Sequence, residues 1–148
     1  MHTVEQIAAF LDSIGIPVRT AEIDGPTFLP GIRIEQGGLQ IDPVKLKYPG
    51  DLLHEAGHLA ILTPELRAAM SDDAGNDGGA EMTAIAWSYA AAMHLGIKAE
   101  VVFHPDGYKG GAKSIADNFA AGNYFGVPFL RLWGMTTGAY PAMLRWVR

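Results

Sequence analysis

The sequence predicts an α+β fold in which a small antiparallel or mixed sheet packs on two central helices. Residues 31–41 alternate apolar and polar side chains around a pair of glycines, which predicts a hairpin of two short strands. Residues 52–62 follow directly and present a packing face of leucines and alanines at helical spacing. Residues 80–95 are apolar almost all round, which is typical of a helix buried on most sides.

Length and composition indicate one globular domain over residues 1–148. Hydrophobic residues make up 49% of the chain and charged residues 18%, a balance that argues against a disordered protein. The net charge is −5 and the sequence has no basic cluster, so nucleic acid is not an expected partner. The sequence contains no internal repeat, low-complexity tract or linker that would divide it.

The chain contains no cysteine, which excludes disulfides, thiolate zinc sites and a cysteine nucleophile. Histidines and carboxylates are therefore the only strong zinc ligands that it offers. The first ten residues lack the basic start and apolar run of a signal peptide. The most apolar stretch, residues 82–93, is too short to cross a bilayer. We therefore expect a cytoplasmic protein with no membrane partner.

The elements before the central helices are predicted from apolar spacing and turn residues. Residues 3–14 carry apolar side chains at helical spacing and predict a first helix. Residues 18–23 alternate weakly and indicate a strand. Within the hairpin, Gly37 and Gly38 are predicted to form the turn. Residues 48–51 hold the proline, glycine and aspartate that suit the start of the next helix.

The elements after the first central helix are shorter and less regular. Residues 71–79 are acidic and rich in glycine, which predicts a loop, and their aspartates lack the spacing of a calcium-binding loop. Residues 123–133 are aromatic and interrupted by glycine and proline, so they favour no single structure. The remaining predictions are a helical turn or two at 65–70, a strand at 98–103, a helix capped by Ser114 that runs to 121, and a last short helix at 141–147.

Residues 54–58 read His-Glu-Ala-Gly-His, a pattern that carries chemistry. On a helix, His54 and His58 lie one turn apart on the same face and can point at one ion. Glu55 is the next residue around the helix and can reach a water on that ion. Two neutral imidazoles beside a carboxylate that accepts a proton are the arrangement that zinc catalysis needs. The alternative is a core helix that happens to carry two histidines, but these buried groups would then need other partners.

A third ligand is needed, and Glu81 is the strongest candidate. It lies in the first turn of the second buried helix. Its carboxylate either interacts with the positive end of the helix dipole or binds the metal, and both interpretations stay open. With His54, His58 and Glu81 as ligands, zinc would keep one open position for water, as catalytic sites do. Glu55 would act as general base and pass the proton to a leaving amine, which implies hydrolysis of an amide such as a peptide bond.

The motif helix, after a hairpin and before a second helix that bears a glutamate, resembles the zincin metallopeptidases and specifically the small gluzincin-like ones. The ImmA/IrrE type, which cuts repressor proteins, is similar in size. The resemblance covers residues 31–95 and implies a minimal zincin-like fold with Zn²⁺ as cofactor. The residues to which it assigns roles are His54, His58 and Glu81 as ligands and Glu55 as base.

This chain departs from the larger families at several positions. Larger gluzincins have an acidic residue one turn after the ligand glutamate that supports a ligand histidine, whereas this chain has Ile85. The support must come from elsewhere, for example from Asp42 or Asp77. The third histidine of metzincins would fall at Pro64, and the cysteine ligand of peptide deformylases is absent.

The resemblance also implies where a substrate lies and what stabilises the oxyanion. In zincins a peptide adds as an extra strand along the sheet edge beside the active-site helix, which here falls within residues 31–42. A tyrosine or histidine often stabilises the oxyanion. His104 and Tyr108 are the candidates, with Tyr124 behind them, although each also has an ordinary structural interpretation.

The sequence therefore predicts a zinc-dependent peptidase that acts on a peptide or protein substrate. The alternative is a zincin-like domain that binds a peptide or a partner without cutting it. A third and weaker hypothesis is a hydrolase of non-peptide amides or esters. The sequence determines neither the substrate nor the oligomeric state.

Overall fold

The computed structural model of this protein describes residues 2–72 and 77–148. The described strands are β1 (Val18–Thr20), β2 (Ile32–Glu35) and β3 (Gly38–Ile41). The described helices are α1 (His2–Ser13), α2 (Asp51–Ala60), α3 (Pro64–Ala69), α4 (Gly78–Leu95), α5 (Ala99–Val102), α6 (Ala112–Ala120) and α7 (Val127–Leu132). This mixture confirms the predicted α+β class. None of the described helices combines the length and the hydrophobicity that crossing a membrane requires.

The three described strands form one mixed sheet in the order β1–β3–β2. β3 runs parallel to β1 and antiparallel to β2, with Ile34 opposite Leu39. The hairpin turn lies at Gln36 and Gly37, both at positive φ, and not at the predicted Gly37-Gly38 pair. Gly38 is the first residue of β3, where an added Cβ would lie 2.7 Å from a backbone carbonyl oxygen of the segment before β1. Gly38 therefore allows the segment that leads into β1 to lie close to the start of β3.

The core lies between the sheet and the two predicted central helices, which are confirmed as α2 and α4. Every residue of α2 is buried, as are residues 83–92 of α4. The helices meet at Gly57, where an added Cβ would lie 2.8 Å from the carbonyl oxygen of Ala84. Trp87 is completely buried beside this contact. The close approach requires a glycine on α2, and it brings the motif face toward the first turns of α4.

Capping groups fix both ends of α4, the helix that carries Glu81. The Asp77 carboxylate accepts hydrogen bonds from the backbone N–H groups of Gly79 and Ala80, at 2.8 and 3.2 Å. Gly96, at φ +71°, ends the helix in the left-handed conformation that favours glycine. Glu81 therefore projects from a first turn whose backbone is held by its own cap.

The segment predicted as a strand at residues 98–103 is instead the short helix α5. Gly50, which precedes α2, lies so close to Val101 that an added Cβ would be 2.0 Å from the Val101 carbonyl oxygen. Val102 and Phe103 are buried in the core. A short apolar run has no period that separates strand from helix, so packing against α2 and α4 decides its structure.

The predicted helix at 141–147 does not form, and the segment follows an irregular path. Trp146 packs edge-on against Phe10 and Trp87, and its carbonyl oxygen accepts a hydrogen bond from the Trp87 indole. The backbone N–H of Arg148 donates to the last carbonyl group of α2. These contacts with α1, α2 and α4 hold the tail in place without helical hydrogen bonds.

Three further predictions are corrected or completed by the structure. α6 begins two residues before Ser114, so that serine lies inside the helix and does not cap it. α7 forms within residues 123–133, with Pro128 in its first turn, where proline is well tolerated. Of the predicted loop at 71–79, residues 73–76 lie outside the described residues.

Candidate metal centre

The two histidines of the motif converge from one face of α2. Their ring centroids lie 5.0 Å apart, and the ring planes are nearly perpendicular at 83°. Both side chains are buried, with His54 7% and His58 6% exposed. Four residues advance a helix by about one turn, so the spacing of the motif accounts for this pairing. Each ring turns its Nε2 atom toward a carboxylate that α4 supplies.

Glu81 brings that carboxylate from α4. Its Oε1 atom lies 2.7 Å from Nε2 of His58 and 3.3 Å from Nε2 of His54. One oxygen therefore contacts both imidazoles across the interface between the two helices. The Glu81 side chain keeps 39% of its surface exposed, so this carboxylate is only partly buried. Interaction with the helix dipole alone does not account for these contacts.

Glu55 supplies a second carboxylate to the same cluster. One of its oxygens and a ring nitrogen from each of His54 and His58 all lie within 4.8 Å of one another. The Glu55 side chain is buried, with 4% exposed. Its carboxylate therefore stands beside the two imidazoles and shares their water-poor surroundings, in which its interactions with a bound molecule are strengthened.

The charged groups of the cluster shift one another's pKa values. Burial alone would raise the pKa of the Glu81 carboxyl, but hydrogen bonding and positive charge from His54 and His58 hold it far below its ordinary value of 4.5. Burial alone would lower the pKa of His54, but the Glu81 carboxylate and two other acidic groups raise it above 6.5. The cluster therefore favours a positive charge at the point where its donors meet.

The donor set suits zinc. Zinc binds imidazole nitrogen and carboxylate oxygen at about 2.0–2.2 Å, and catalytic sites use three such protein ligands. The Nε2 atoms of His54 and His58 and the Oε1 atom of Glu81 supply this set. The Oε1 atom of Glu81 lies at hydrogen-bond distance from Nε2 of His58, 2.7 Å, and slightly farther, 3.3 Å, from Nε2 of His54.

Tyr108 contacts the other nitrogen of His54. Its hydroxyl oxygen lies 3.2 Å from His54 Nδ1, and the two rings pack edge-on at 5.3 Å. Burial, followed by the charge of Asp51, raises the pKa of the Tyr108 hydroxyl above its ordinary value of 10.0 and keeps it neutral. The hydroxyl meets the nitrogen that does not face Glu81, so this geometry does not support the predicted role at the oxyanion.

His104 forms a separate buried pair with Asp51, the first residue of α2. His104 Nε2 lies 2.7 Å from Asp51 Oδ1, and both side chains are almost completely buried. Asp51 Oδ2 and His104 Nδ1 are buried atoms without a hydrogen-bond partner among the described residues. Burial raises the pKa of the Asp51 carboxyl, although His104 opposes this. Because its Nε2 is bonded to Asp51, His104 does not take the predicted oxyanion position in this conformation.

Asp51 is the polar residue of this region that the sequence analysis missed. Turn chemistry in residues 48–51 indicates only that it suits the start of a helix. The signal that could have identified it is spacing, because Asp51 precedes His54 by three residues. Residues three apart on a helix are neighbours, which places a second carboxylate beside the motif.

The residues predicted to support the ligand histidines have other partners. Asp42 accepts hydrogen bonds from the backbone N–H groups of Ile23 and Val44, at 3.1 and 3.0 Å, and these interactions lower the pKa of its carboxyl. Asp77 caps α4. Tyr124, the reserve candidate for the oxyanion, packs against aromatic rings of α4 and α6. Among the described residues, neither Asp42 nor Asp77 has a hydrogen bond to His54 or His58 that would support these two predictions.

β2 forms an edge of the sheet, but part of that edge is already paired. The backbone of Ile34 exchanges two hydrogen bonds with Asp72, at 3.4 and 2.7 Å, in an antiparallel bridge. The N–H of Ile32 donates to the carbonyl oxygen of Leu29. A substrate strand cannot add at these positions without displacing the existing bonds. The predicted substrate edge within residues 31–42 is therefore closed there in this conformation.

A cleft of about 440 Å³ opens beside His58. The end of α2, the first turns of α4 and the helix α7 form its walls, with Asp77 and Arg148 as charged groups. Phe129 and Trp133 line its apolar side and stack at 5.4 Å between ring centroids, and Phe129 is half exposed. The histidine cluster therefore adjoins an open and largely apolar space.

Comparisons with known protein families, with curated proteins and with solved structures find no match for this chain. The function of the cluster is therefore argued from the chemistry and geometry of its own residues. Glu55 groups with His54 and His58 on α2, and Glu81, 23 residues after His58, meets the same two imidazoles from α4.

Proposed function

We propose that this protein is a zinc-dependent hydrolase that cleaves peptide bonds. The observation that carries the proposal is the contact of one Glu81 oxygen with the Nε2 atoms of both His54 and His58. A catalytic zinc held by two imidazoles needs a third protein donor, and the position of Glu81 on α4 supports its assignment to that role. Three protein ligands leave a position for water, as an active enzyme requires.

Each residue of the cluster has a defined chemical role in this proposal. Zinc, when bound, supplies a water that ionises near neutral pH and polarises the carbonyl group of the substrate. Glu55 accepts the proton of the attacking water and passes it to the nitrogen of the leaving amine as the C–N bond breaks. Its carboxylate lies within 4.8 Å of the two ring nitrogens, which is within reach of a molecule held between them.

The cleft beside His58 supports a peptide as the substrate. His58 is the member of the cluster that lines this cleft, so a chain bound there would contact one of the proposed zinc ligands. Phe129 and Trp133 offer an apolar wall that fits a large apolar side chain of the substrate. The β2 edge is paired at Ile34, so we place the substrate in the cleft.

The test compares wild-type protein with two matched glutamate variants. Zinc content is measured by elemental analysis, and cleavage of a mixed peptide library is measured by mass spectrometry. Glu55→Gln should keep one zinc per chain and lose activity by about 10²–10⁴-fold, the contribution of a general base. Glu65→Gln removes an exposed carboxylate from α3 and should keep both zinc and activity.

Each outcome assigns the protein to one hypothesis. Full activity in Glu55→Gln would contradict the mechanism, and wild-type protein without zinc would contradict the metal centre. Zinc binding with peptide binding but without cleavage would favour the alternative, a non-catalytic zincin-like domain. Cleavage restricted to small amides or esters would favour the third hypothesis.

A further inference from the structure

Tyr108 lies in a turn with an unusual backbone conformation. Tyr108 and Lys109 have left-handed φ angles of +57° and +55°, and Gly110 follows at +83°. A bulky residue rarely adopts this region, and such strain persists only where surrounding contacts impose it. Strained residues of this kind cluster at binding and catalytic sites, so this turn is a candidate for a functional role.

The contacts that hold this turn converge on the start of α2. His104 bonds to Asp51 at 2.7 Å, and the Tyr48 ring stacks on the imidazole at 3.8 Å. Gly107 approaches the same ring so closely that an added Cβ would lie 3.2 Å from His104 Cε1. The segment that leads into Tyr108 is therefore fixed on a buried pair at the helix that carries the motif.

The turn delivers the Tyr108 hydroxyl to Nδ1 of His54, at 3.2 Å. A histidine binds a metal through Nε2 only when its remaining ring proton is on Nδ1, where it needs an acceptor. The phenol oxygen can accept that hydrogen bond. The oxygen of a neutral phenol carries lone pairs, so it can accept this bond while it keeps its own proton.

We propose that Tyr108 is a positioning residue for metal binding, whose hydroxyl accepts a hydrogen bond from Nδ1–H of His54 and leaves Nε2 ready for the ion. The inference rests on the proposed function, because it requires that His54 binds zinc. Tyr108 supplies the support that an acidic residue at position 85 would give, where this chain has isoleucine. The Asp51–His104 pair acts through Tyr108 by fixing its turn.

The test measures zinc affinity by competition with a chromophoric chelator. Tyr108→Phe keeps the ring and removes only the hydroxyl, and it should weaken zinc binding about tenfold, as loss of a partner of a metal-bound histidine does. Tyr140→Phe is the matched control. Tyr140 is also buried, and its hydroxyl donates to the carbonyl oxygen of Ala86 at 2.7 Å. This second variant should leave zinc affinity unchanged.

A second measurement separates positioning from general stabilisation. In zinc-loaded protein with isotope-labelled histidine, NMR should show the Nδ1-bound proton of His54 protected from exchange with solvent. Tyr108→Phe should broaden or remove this signal, and Tyr140→Phe should preserve it. A purely structural role of the Tyr108 ring would leave the signal intact in both variants.

The outcomes distinguish failure of this inference from failure of the proposed function. Weaker zinc binding in Tyr108→Phe alone, with loss of the protected proton, supports the inference. Equal affinity in wild-type and Tyr108→Phe protein, or an equal loss in both variants, would overturn it while the zinc centre stands. Wild-type protein that binds no zinc would overturn the proposed function and the inference together.

Discussion

Two histidine–carboxylate contacts on α2 have the same length and different surroundings. His58 lies 2.7 Å from Glu81, which keeps 39% of its side chain exposed. The same Glu81 oxygen meets a second imidazole, that of His54, at 3.3 Å. His104 also lies 2.7 Å from its carboxylate, but Asp51 is only 4% exposed. The contact of Glu81 with His58 and His54 is partly exposed to solvent and shared by two rings, and we call it the open contact. The buried contact between Asp51 and His104 is the closed contact.

The difference shows that a short histidine–carboxylate distance does not identify a metal site. A zinc site needs three or four donors that converge on one point and a path for the ion. A buried pair needs only that each group satisfies the other, and its function is to order the elements that carry it. Experiments that remove one group at a time therefore separate the two contacts.

Loss of one histidine from each contact should separate them most strongly. His58→Ala should weaken zinc binding by about 100-fold or more, because the ~10–16 kcal/mol of a structural zinc site is shared among its ligands. His104→Ala should still bind one zinc per chain. Isothermal titration calorimetry with zinc measures both. Equal affinities in the two variants would erase the distinction between the contacts.

A change at the interface between α2 and α4 should have the next largest effect on zinc affinity. It moves Glu81 relative to the two histidines without removing any metal ligand. Gly57→Ala places a Cβ 2.8 Å from the Ala84 carbonyl oxygen and 3.3 Å from the Trp87 ring. The helices must separate, so we expect a loss of about 1–3 kcal/mol in the free energy of unfolding. Zinc affinity should fall by about tenfold, because Glu81 moves with α4.

The matched control for this change is Gly138→Ala, since an added Cβ there meets nothing within 4 Å. Its stability and zinc affinity should stay within experimental error of wild type. Urea denaturation and chelator competition provide the two measurements. Unchanged zinc affinity in Gly57→Ala would mean that the interface does not set the distance between the donors.

The open contact should also respond to pH, and the sign depends on zinc. In the zinc-free protein, the pKa of His54 is raised above 6.5 and that of Glu81 lies below 4.5. The His54 contribution to stability is therefore complete below pH 6.5 and is lost as pH rises through the raised pKa. The Glu81 contribution is complete above pH 4.5 and is lost as pH falls through the lowered pKa.

Zinc reverses this dependence because it competes with the proton on His54. Below the raised pKa of His54, zinc affinity should increase by up to about tenfold per pH unit, since binding releases one proton. Above that pKa the increase should level off. Affinity measured by chelator competition from pH 5.5 to 8.5 tests the expectation. An affinity independent of pH would exclude His54 as a ligand.

Loss of the closed contact should have the smallest effect on zinc affinity, but it should clearly lower the free energy of unfolding. His104→Ala leaves the buried Asp51 carboxylate without its donor, which should cost about 2–3 kcal/mol in the free energy of unfolding. Zinc affinity should fall no further than in Tyr108→Phe, because His104 acts only through the turn that carries Tyr108. Thermal denaturation with and without zinc separates the two effects. A larger loss of zinc affinity than of stability would place His104 among the ligands.

The open contact was predictable from the sequence because its parts are local. His54 and His58 are one helical turn apart, and the only non-local step was to expect Glu81 on the next buried helix. The closed contact was not predictable, because the loop that carries His104 and Tyr108 reaches α2 through packing of α5. The apolar run of α5 has no period that distinguishes helix from strand.

In the fold, too, the sequence predicts local elements but not contacts between distant segments. The hairpin follows from alternation in the sequence, yet its turn lies one residue earlier than predicted, at Gln36 and Gly37. The pairing of Ile34 with Asp72 joins segments far apart in the chain, and nothing in either segment indicates it. The C-terminal tail is likewise held by contacts with three helices and not by a local pattern.

The most direct test of the proposed zinc centre is a crystal structure of the protein grown with zinc, with anomalous diffraction recorded at the zinc absorption edge. One strong peak should lie about 2.0–2.2 Å from the Nε2 atoms of His54 and His58 and from a carboxylate oxygen of Glu81. A peak at the Asp51–His104 pair, or no peak within bonding distance of the two motif histidines, would contradict the account.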